Sequence, residues 1–238
     1  MVVMVAGSQK RGCVRMVVVK YKKVKEGMFF SHLNMLRLWN KLIAISSIEV
    51  KYSEGFNKTR RLYFSSPTRV GVESECEYIV IDTNESAREV KTKLENNMPK
   101  WLEIVYVLTT EGKFNVASMN KGAEYLVSFD EYKSSKPKIK EFFDSKEIVI
   151  PVILHGEEKM IDVKDRIIEF SCYDDNLKIV AGVGDKSVRI DELVKKLLAF
   201  LNKPNNDYEI MKTKLFTRDE EGELVDVDKV AEDMKYDD

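Results

Sequence analysis

Glu77–Thr109 reads EYIVIDTNESAREVKTKLENNMPKWLEIVYVLT, and its periodicity changes twice. Glu77–Asp82 is an apolar, β-branched run of strand length. Ser86 then offers a hydroxyl to the orphan backbone N–H groups of a helix start. Val90, Leu94, Met98 and Leu102 recur at every fourth position, which predicts an amphipathic helix over Ala87–Trp101, with Pro99 near its end as a stop. Glu103–Thr109 returns to strand. The stretch is strand, helix, strand, the closing part of a split β-α-β unit.

Upstream, Met16–Lys23 (MVVVKYKK) is the first clear strand. Ser31 is a good N-cap, and Leu33, Leu36, Trp39, Leu42 and Ile43 follow at helical spacing, with Arg37, Asn40 and Lys41 off that stripe. Ile48–Tyr52 and Arg61–Phe64 are expected as strands on either side of a break at Glu54–Asn57. Downstream, Ala123–Phe129 is a strand and Lys136–Phe143 a short helix starting around Pro137, a residue favoured in a first turn. Glu147–Leu154 is an edge strand because it contains Pro151. Strands at Lys159–Val163, Arg166–Tyr173 and Leu177–Val183, a helix over Asp191–Leu201 and a strand over Asp207–Leu215 complete the pattern.

The expected class is α+β: two tandem ferredoxin-like (split β-α-β) units with antiparallel sheets, over 16–115 and 116–220. A flexible extension, 1–15, precedes them, and a charged, mobile tail, 221–238, follows. The 238 residues are 44% hydrophobic and 33% charged, which fits a folded chain rather than a disordered one. No apolar run approaches the roughly 20 residues that span a bilayer, so no membrane role is expected and the location is read as cytoplasmic. Cys13, Cys76 and Cys172 are far apart, odd in number and form no CxxC pair, which argues against a disulfide framework and against a structural zinc site.

Charge is divided unevenly. Residues 1–70 hold 14 Lys or Arg against 3 Glu, while residues 71–238 hold 25 basic and 37 acidic residues. Either the basic part meets a polyanion, or it packs against the acidic remainder. Lys51–Arg69 interleaves Tyr52, Phe56, Tyr63 and Phe64 with cations, the combination that binds single-stranded nucleic acid. The alternative is that the aromatics are core and the cations a solvated face.

Catalytic motifs are sparse. His32, beside Ser31 at a helix start, is either an acid–base or phosphate-contacting group or a polar first-turn residue. His155 falls in the turn His155-Gly156-Glu157-Glu158. Walker A, GxGxxG, GxSxG and HExxH patterns are missing, and neither a metal site nor a cofactor is predicted. Asp174-Asp175 and Glu157-Glu158 lie in predicted turns.

Three segments carry a family resemblance: Ser31-His32-Leu33-Asn34-Met35-Leu36-Arg37, Tyr52-Ser53-Glu54-Gly55-Phe56-Asn57, and Gly71-Val72-Glu73-Ser74 with Glu77-Tyr78. They resemble the SHLDLMR, YSxGFNPHP and GVESxxEY segments of the uncharacterised proteins encoded beside, or fused to, cobalamin-dependent radical-SAM proteins. Asn34 stands where that family usually has aspartate. Lys58-Thr59-Arg60 replace Pro-His-Pro, so the family's second histidine has no counterpart. The resemblance implies no established activity. It implies an accessory protein, acting with a separate radical-SAM enzyme in RNA modification or maturation and binding RNA or a nucleotide-like anion. The three cysteines here do not form the cluster of a radical-SAM centre, so that enzyme would be another chain. A fainter, fold-level likeness is to the CRISPR repeat-RNA endoribonucleases. The expected binding residues are His32, Arg37, Tyr52, Ser53, Gly55, Phe56, Asn57, Arg60 and Arg61. The alternatives are a metal-independent endoribonuclease or RNA-modifying enzyme using His32, and a module docking an acidic protein. His32 and Asn57 are expected to border one cleft.

Overall fold

The computed structural model describes residues 15–111, 114–154 and 156–236. Residues 1–14 of the expected extension, Cys13 among them, and His155 lie outside the described residues.

The first half runs β1 (Arg15–Lys23), α1 (His32–Ile45), β2 (Leu62–Phe64), β3 (Glu73–Ile81), α2 (Ala87–Glu95) and β4 (Leu102–Glu111). Its strand order is β4-β1-β3, with β2 on the outer side of β3. The second half runs β5 (Gly122–Phe129), α3 (Tyr132–Asp144), β6 (Val149–Leu154), β7 (Glu157–Asp162), β8 (Ile167–Cys172), β9 (Leu177–Gly182), α4 (Ile190–Phe200) and β10 (Tyr208–Arg218). Its order is β10-β5-β9-β8, with β6 and β7 set apart as a two-stranded hairpin. β11 (Leu224–Asp226), α5 (Val227–Asp233) and β12 (Lys235–Tyr236) follow, β11 on β10 and β12 on β4.

The chain is thus mixed α+β around one large, mostly antiparallel sheet. The halves join where β3 runs parallel to β10, pairing Glu73 with Met211 and Ser74 with Lys212. Alternation along the strands divides the core. Val17, Val19, Tyr21, Ile79 and Ile81 meet Trp39, Leu42 and Ile43 of α1 and Val90 and Leu94 of α2. Val18, Tyr78 and Val80 belong to a second cluster with Ile139 and Phe143 of α3, Leu193 and Leu197 of α4 and Val227 and Ala231 of α5. Burying a Leu- or Ile-sized side chain in either cluster contributes about 1.5–3 kcal/mol.

The caps explain why two helices begin where the sequence predicts. Ser31 accepts from the Asn34 N–H, and Ser86 with Glu89 forms a capping box. Four expectations need correction. Ile48–Tyr52 is not a ladder strand: it crosses the end of β3, with Lys51 N–H donating to the Asp82 carbonyl and Ile48 N–H to Ile43. α2 ends at Glu95, not Trp101, because Pro99 disfavours helix at the residue before it and the chain has turned by Asn97. α3 starts at Tyr132, not near Pro137. Glu131, at φ 59°, turns the chain, and the Ser134 and Ser135 hydroxyls donate to its carbonyl, leaving Pro137 inside the helix at the loss of one backbone bond. The expected charged tail is structured over its described part. Asp226 caps α5, and Asp228 accepts from Lys20, Tyr78 and Tyr106.

Candidate functional site

Residues 51–61 form a small hairpin. Tyr52 bridges Arg60, Ser53 N–H donates to the Thr59 carbonyl at 2.8 Å, and Thr59 N–H returns to Ser53 Oγ at 3.0 Å. The base is fastened to Asp82, which is buried at the end of β3. Its carboxylate lies 3.0 Å from Lys51 Nζ and 3.1 Å from Arg61 Nε, and its backbone bonds both residues. Arg61 is therefore part of the scaffold. The apex holds no such partner. Phe56 is fully exposed and Tyr52 is 50% exposed. The Phe56 side chain thus leaves its whole apolar area in water.

The hairpin reaches α1 through Arg60, whose guanidinium donates to Asn40 Oδ1 at 3.4 Å. Arg37 and Lys41, one turn apart, are exposed on the same helix. His32 is exposed at the first turn, its ring edge-on to Phe64 of β2 with centroids 6.3 Å apart. His32 and Asn57, expected to border one cleft, are both exposed and share no hydrogen bond or ring contact among the described residues. The expectation placed the loop after a strand at Ile48–Tyr52. In the structure the hairpin hangs from Asp82 at one end of β3, while the segment leading into α1 sits at the other, where Lys25 N–H donates to Glu73. Arg60, not Asn57, touches α1, and it does so two turns beyond His32.

The GVESxxEY segment, Gly71–Tyr78, does different work. Gly71, at φ +85°, turns the chain so that its N–H meets the Met28 carbonyl. Ser74 donates to Glu77, Thr68 donates to Glu77, and Lys212 Nζ lies 2.9 Å from the same carboxylate. Lys212 and Glu77 are 2% and 7% exposed in their side chains. Burial alone would raise the Glu77 carboxyl, but Lys212, the Thr68 hydroxyl and Lys23 outweigh it and hold it below the ordinary range. Burial lowers the nearby Lys23 amine. Burial pushes the thiol of Cys76, which precedes Glu77 in β3, up to about 12. Sequence reasoning missed this pair; its signal is an acid, Glu77, heading an otherwise apolar strand.

The same structure settles where much of the uneven charge goes. Lys20 pairs with Asp228, Lys22 with Glu75, Lys51 and Arg61 with Asp82, and Arg69 with Asp191. The basic segment thus packs in good part against the acidic remainder. Arg37, Lys41, Lys58 and Arg60 make no ion pair among the described residues. They cluster on α1 and the hairpin. Among the described residues no group of three or more His, Cys, Asp or Glu side chains is placed to hold a metal ion, and no helix is long and apolar enough to cross a membrane.

A family model described as "Uncharacterized protein conserved in bacteria (DUF2344)" matches residues 16–203. No curated protein matches the chain. One solved structure, a provisionally named glycine cleavage system transcriptional repressor, shares 11% identity over 82% of this chain and 95% of its own. Its TM-score of 0.19 carries no argument about fold or function.

Proposed function

The chain belongs to this family of proteins conserved in bacteria, and on that footing we propose that it binds RNA, or a nucleotide-like anion, on the face made by α1 and the 52–60 hairpin. Each half is read as a ferredoxin-like unit, which the two matching strand orders support. The bound RNA would be presented to a separate radical-SAM enzyme; that part rests on the resemblance of the three sequence segments.

The observation that carries the reading is the presence, on one helix and its hairpin, of a fully exposed Phe56, a half-exposed Tyr52 and four cations that make no ion pair among the described residues. Aromatic faces stack on unpaired bases and cations meet the phosphates between them. Arg61 and Ser53 hold the hairpin in shape, and Gly55 and Asn57 form its apex. His32, edge-on to Phe64, lies along the same helix as Arg37.

The test is fluorescence anisotropy of a labelled single-stranded RNA against the full chain over a range of salt. Affinity is expected to fall with salt, by a logarithmic slope of about 0.7 per phosphate neutralised. Phe56→Ala should remove about 1–3 kcal/mol of binding without changing the circular dichroism spectrum. Absence of affinity at low salt, or affinity indifferent to salt, would refute the proposal. Cleavage of the RNA that is lost in His32→Ala would replace it with a nuclease.

A further inference from the structure

A second concentration of cations lies outside the face just described, and it lines a cavity. Val152 and Ile153 of β6, Ile161 of β7, Arg69 from the loop before β3, Arg166 and Arg189 wall a space of about 610 Å³. An adjoining cavity of about 570 Å³ shares Arg166 and Gly184 with it and adds Lys121, Lys186 and Arg218, with Asp165 also in its lining. Two arginines are only loosely answered. Arg189 stands 3.5 Å from Asp191 and 3.7 Å from Glu192, and its Nε–H is buried with no acceptor among the described residues. Arg69 Nε lies 3.2 Å from Asp191 Oδ1, a charge contact without hydrogen-bond alignment. The Arg166 guanidinium makes one 3.4 Å bond, to the Ser187 carbonyl. Arg189 is also the cap of α4 and gives that helix start no side-chain bond.

We propose that these joined cavities bind a small phosphorylated molecule. Its phosphate would be gripped by the guanidinium forks of Arg69, Arg166 and Arg189, and its apolar part would lie against Val152, Ile153 and Ile161. Three planar forks converging from three separate elements suit a tetrahedral dianion, which accepts paired N–H bonds from more than one side. Asp191 is the carboxylate that Arg69 and Arg189 share, at 3.2 and 3.5 Å, and Glu192 stands 3.7 Å from Arg189. The positive end of α4 adds to the field. None of the residues lining either cavity is aromatic. Base stacking therefore has no platform here, and the site differs in kind from the hairpin face. The β6–β7 hairpin, which stands apart from the main sheet, supplies the apolar wall.

The experiment is isothermal titration of the full chain with phenyl phosphate and with inorganic phosphate. Phenyl phosphate is expected to saturate one site per chain and to bind about tenfold or more tightly than inorganic phosphate. Arg166→Gln is expected to weaken both by about tenfold or more. That variant removes a single long backbone bond, so the fold should persist, and RNA affinity should stay as in the parent. The double variant Arg37→Gln, Lys41→Gln should leave phosphate binding unchanged, so failure here and failure of the RNA proposal are separable. In nuclear magnetic resonance the Nε–Hε signals of Arg69, Arg166 and Arg189 should move on titration. Equal affinity for the two phosphates, unchanged binding in Arg166→Gln, or movement confined to other arginines overturns the assignment. So does loss of RNA and phosphate binding together in Arg166→Gln, which would make the cavity a stretch of the RNA path.

Discussion

The junction between the halves and the 52–60 hairpin are built from similar residue types and behave as opposites. At the junction, Lys23, Lys212 and Glu77 are buried, and every charge has a neighbour of opposite sign or a hydroxyl. On the hairpin and α1, Arg37, Lys41, Lys58 and Arg60 make no ion pair among the described residues and stand near exposed rings, with Glu54 the one carboxylate of the hairpin. Composition alone does not separate the two. Where the carboxylates stand in space does, and it turns one set of cations into a clasp and leaves the other free for a ligand.

The contrast breaks first, if it breaks, at Lys212. Lys212→Met should strand the Glu77 carboxylate in the core and cost about 3–5 kcal/mol in urea unfolding. A cost under about 1 kcal/mol would mean that the junction is not held by this pair. The pH dependence sharpens the point. In the parent chain the Glu77 and Asp228 carboxyls are held below their ordinary range. Their stabilisation is complete above the unfolded values and disappears as pH falls through the folded ones. In Lys212→Met burial acts on Glu77 with less opposition, the folded value rises, and acidification toward pH 4–5 should restore part of the lost stability. Urea midpoints that fall with acid in both proteins alike would contradict the assignment.

Next in size is Asp228→Asn. It removes the Lys20 charge contact and weakens two tyrosine hydroxyl bonds, at about 1.5–3 kcal/mol for bonds to a charged group. Hydrogen exchange should quicken over Val227–Asp233 before it quickens elsewhere; uniform acceleration would argue against a local clasp. Smallest should be Arg37→Gln with Lys41→Gln. Stability is expected to change by less than about 0.5 kcal/mol, while the RNA salt slope drops by about 1.4 if each residue meets one phosphate. A large stability loss in that double variant would place these arginine and lysine side chains with the junction set.

Much of the framework was legible because it is written in local chemistry. Ser31 and Ser86 mark two helix starts, and the apolar spacing of Trp39, Leu42, Val90 and Leu94 marks the faces they bury. The aromatics of Lys51–Arg69 could be read either way from sequence, and they divide: Tyr52 and Phe56 are exposed, while Tyr63 and Phe64 pack against the core. What escaped depends on distance along the chain. Arg69, Arg166 and Arg189 share no spacing, so their common cavity cannot be read from order. Asp228 looked like one acid in a charged tail until Lys20, Tyr78 and Tyr106 converged on it. Pro137 reads as a first-turn signal, while the real start of α3 depends on Glu131 adopting a left-handed conformation, which no local pattern announces.

The parallel seam between β3 and β10 has a consequence for synthesis on the ribosome. Glu77 and the lysine that neutralises it are 135 residues apart. At about 5–20 residues per second, roughly 7–27 s separate their emergence. During that interval the first half carries the edge of β3 at Glu73 and Ser74 open to solvent, with a carboxylate and Lys23 awaiting their third member. The nascent first half is thus denied its final seal until Lys212 arrives. Closure of that long loop is a late, non-local step. A chain stalled before β10 would present an unfinished sheet margin to its neighbours, the kind of surface that holdase chaperones intercept.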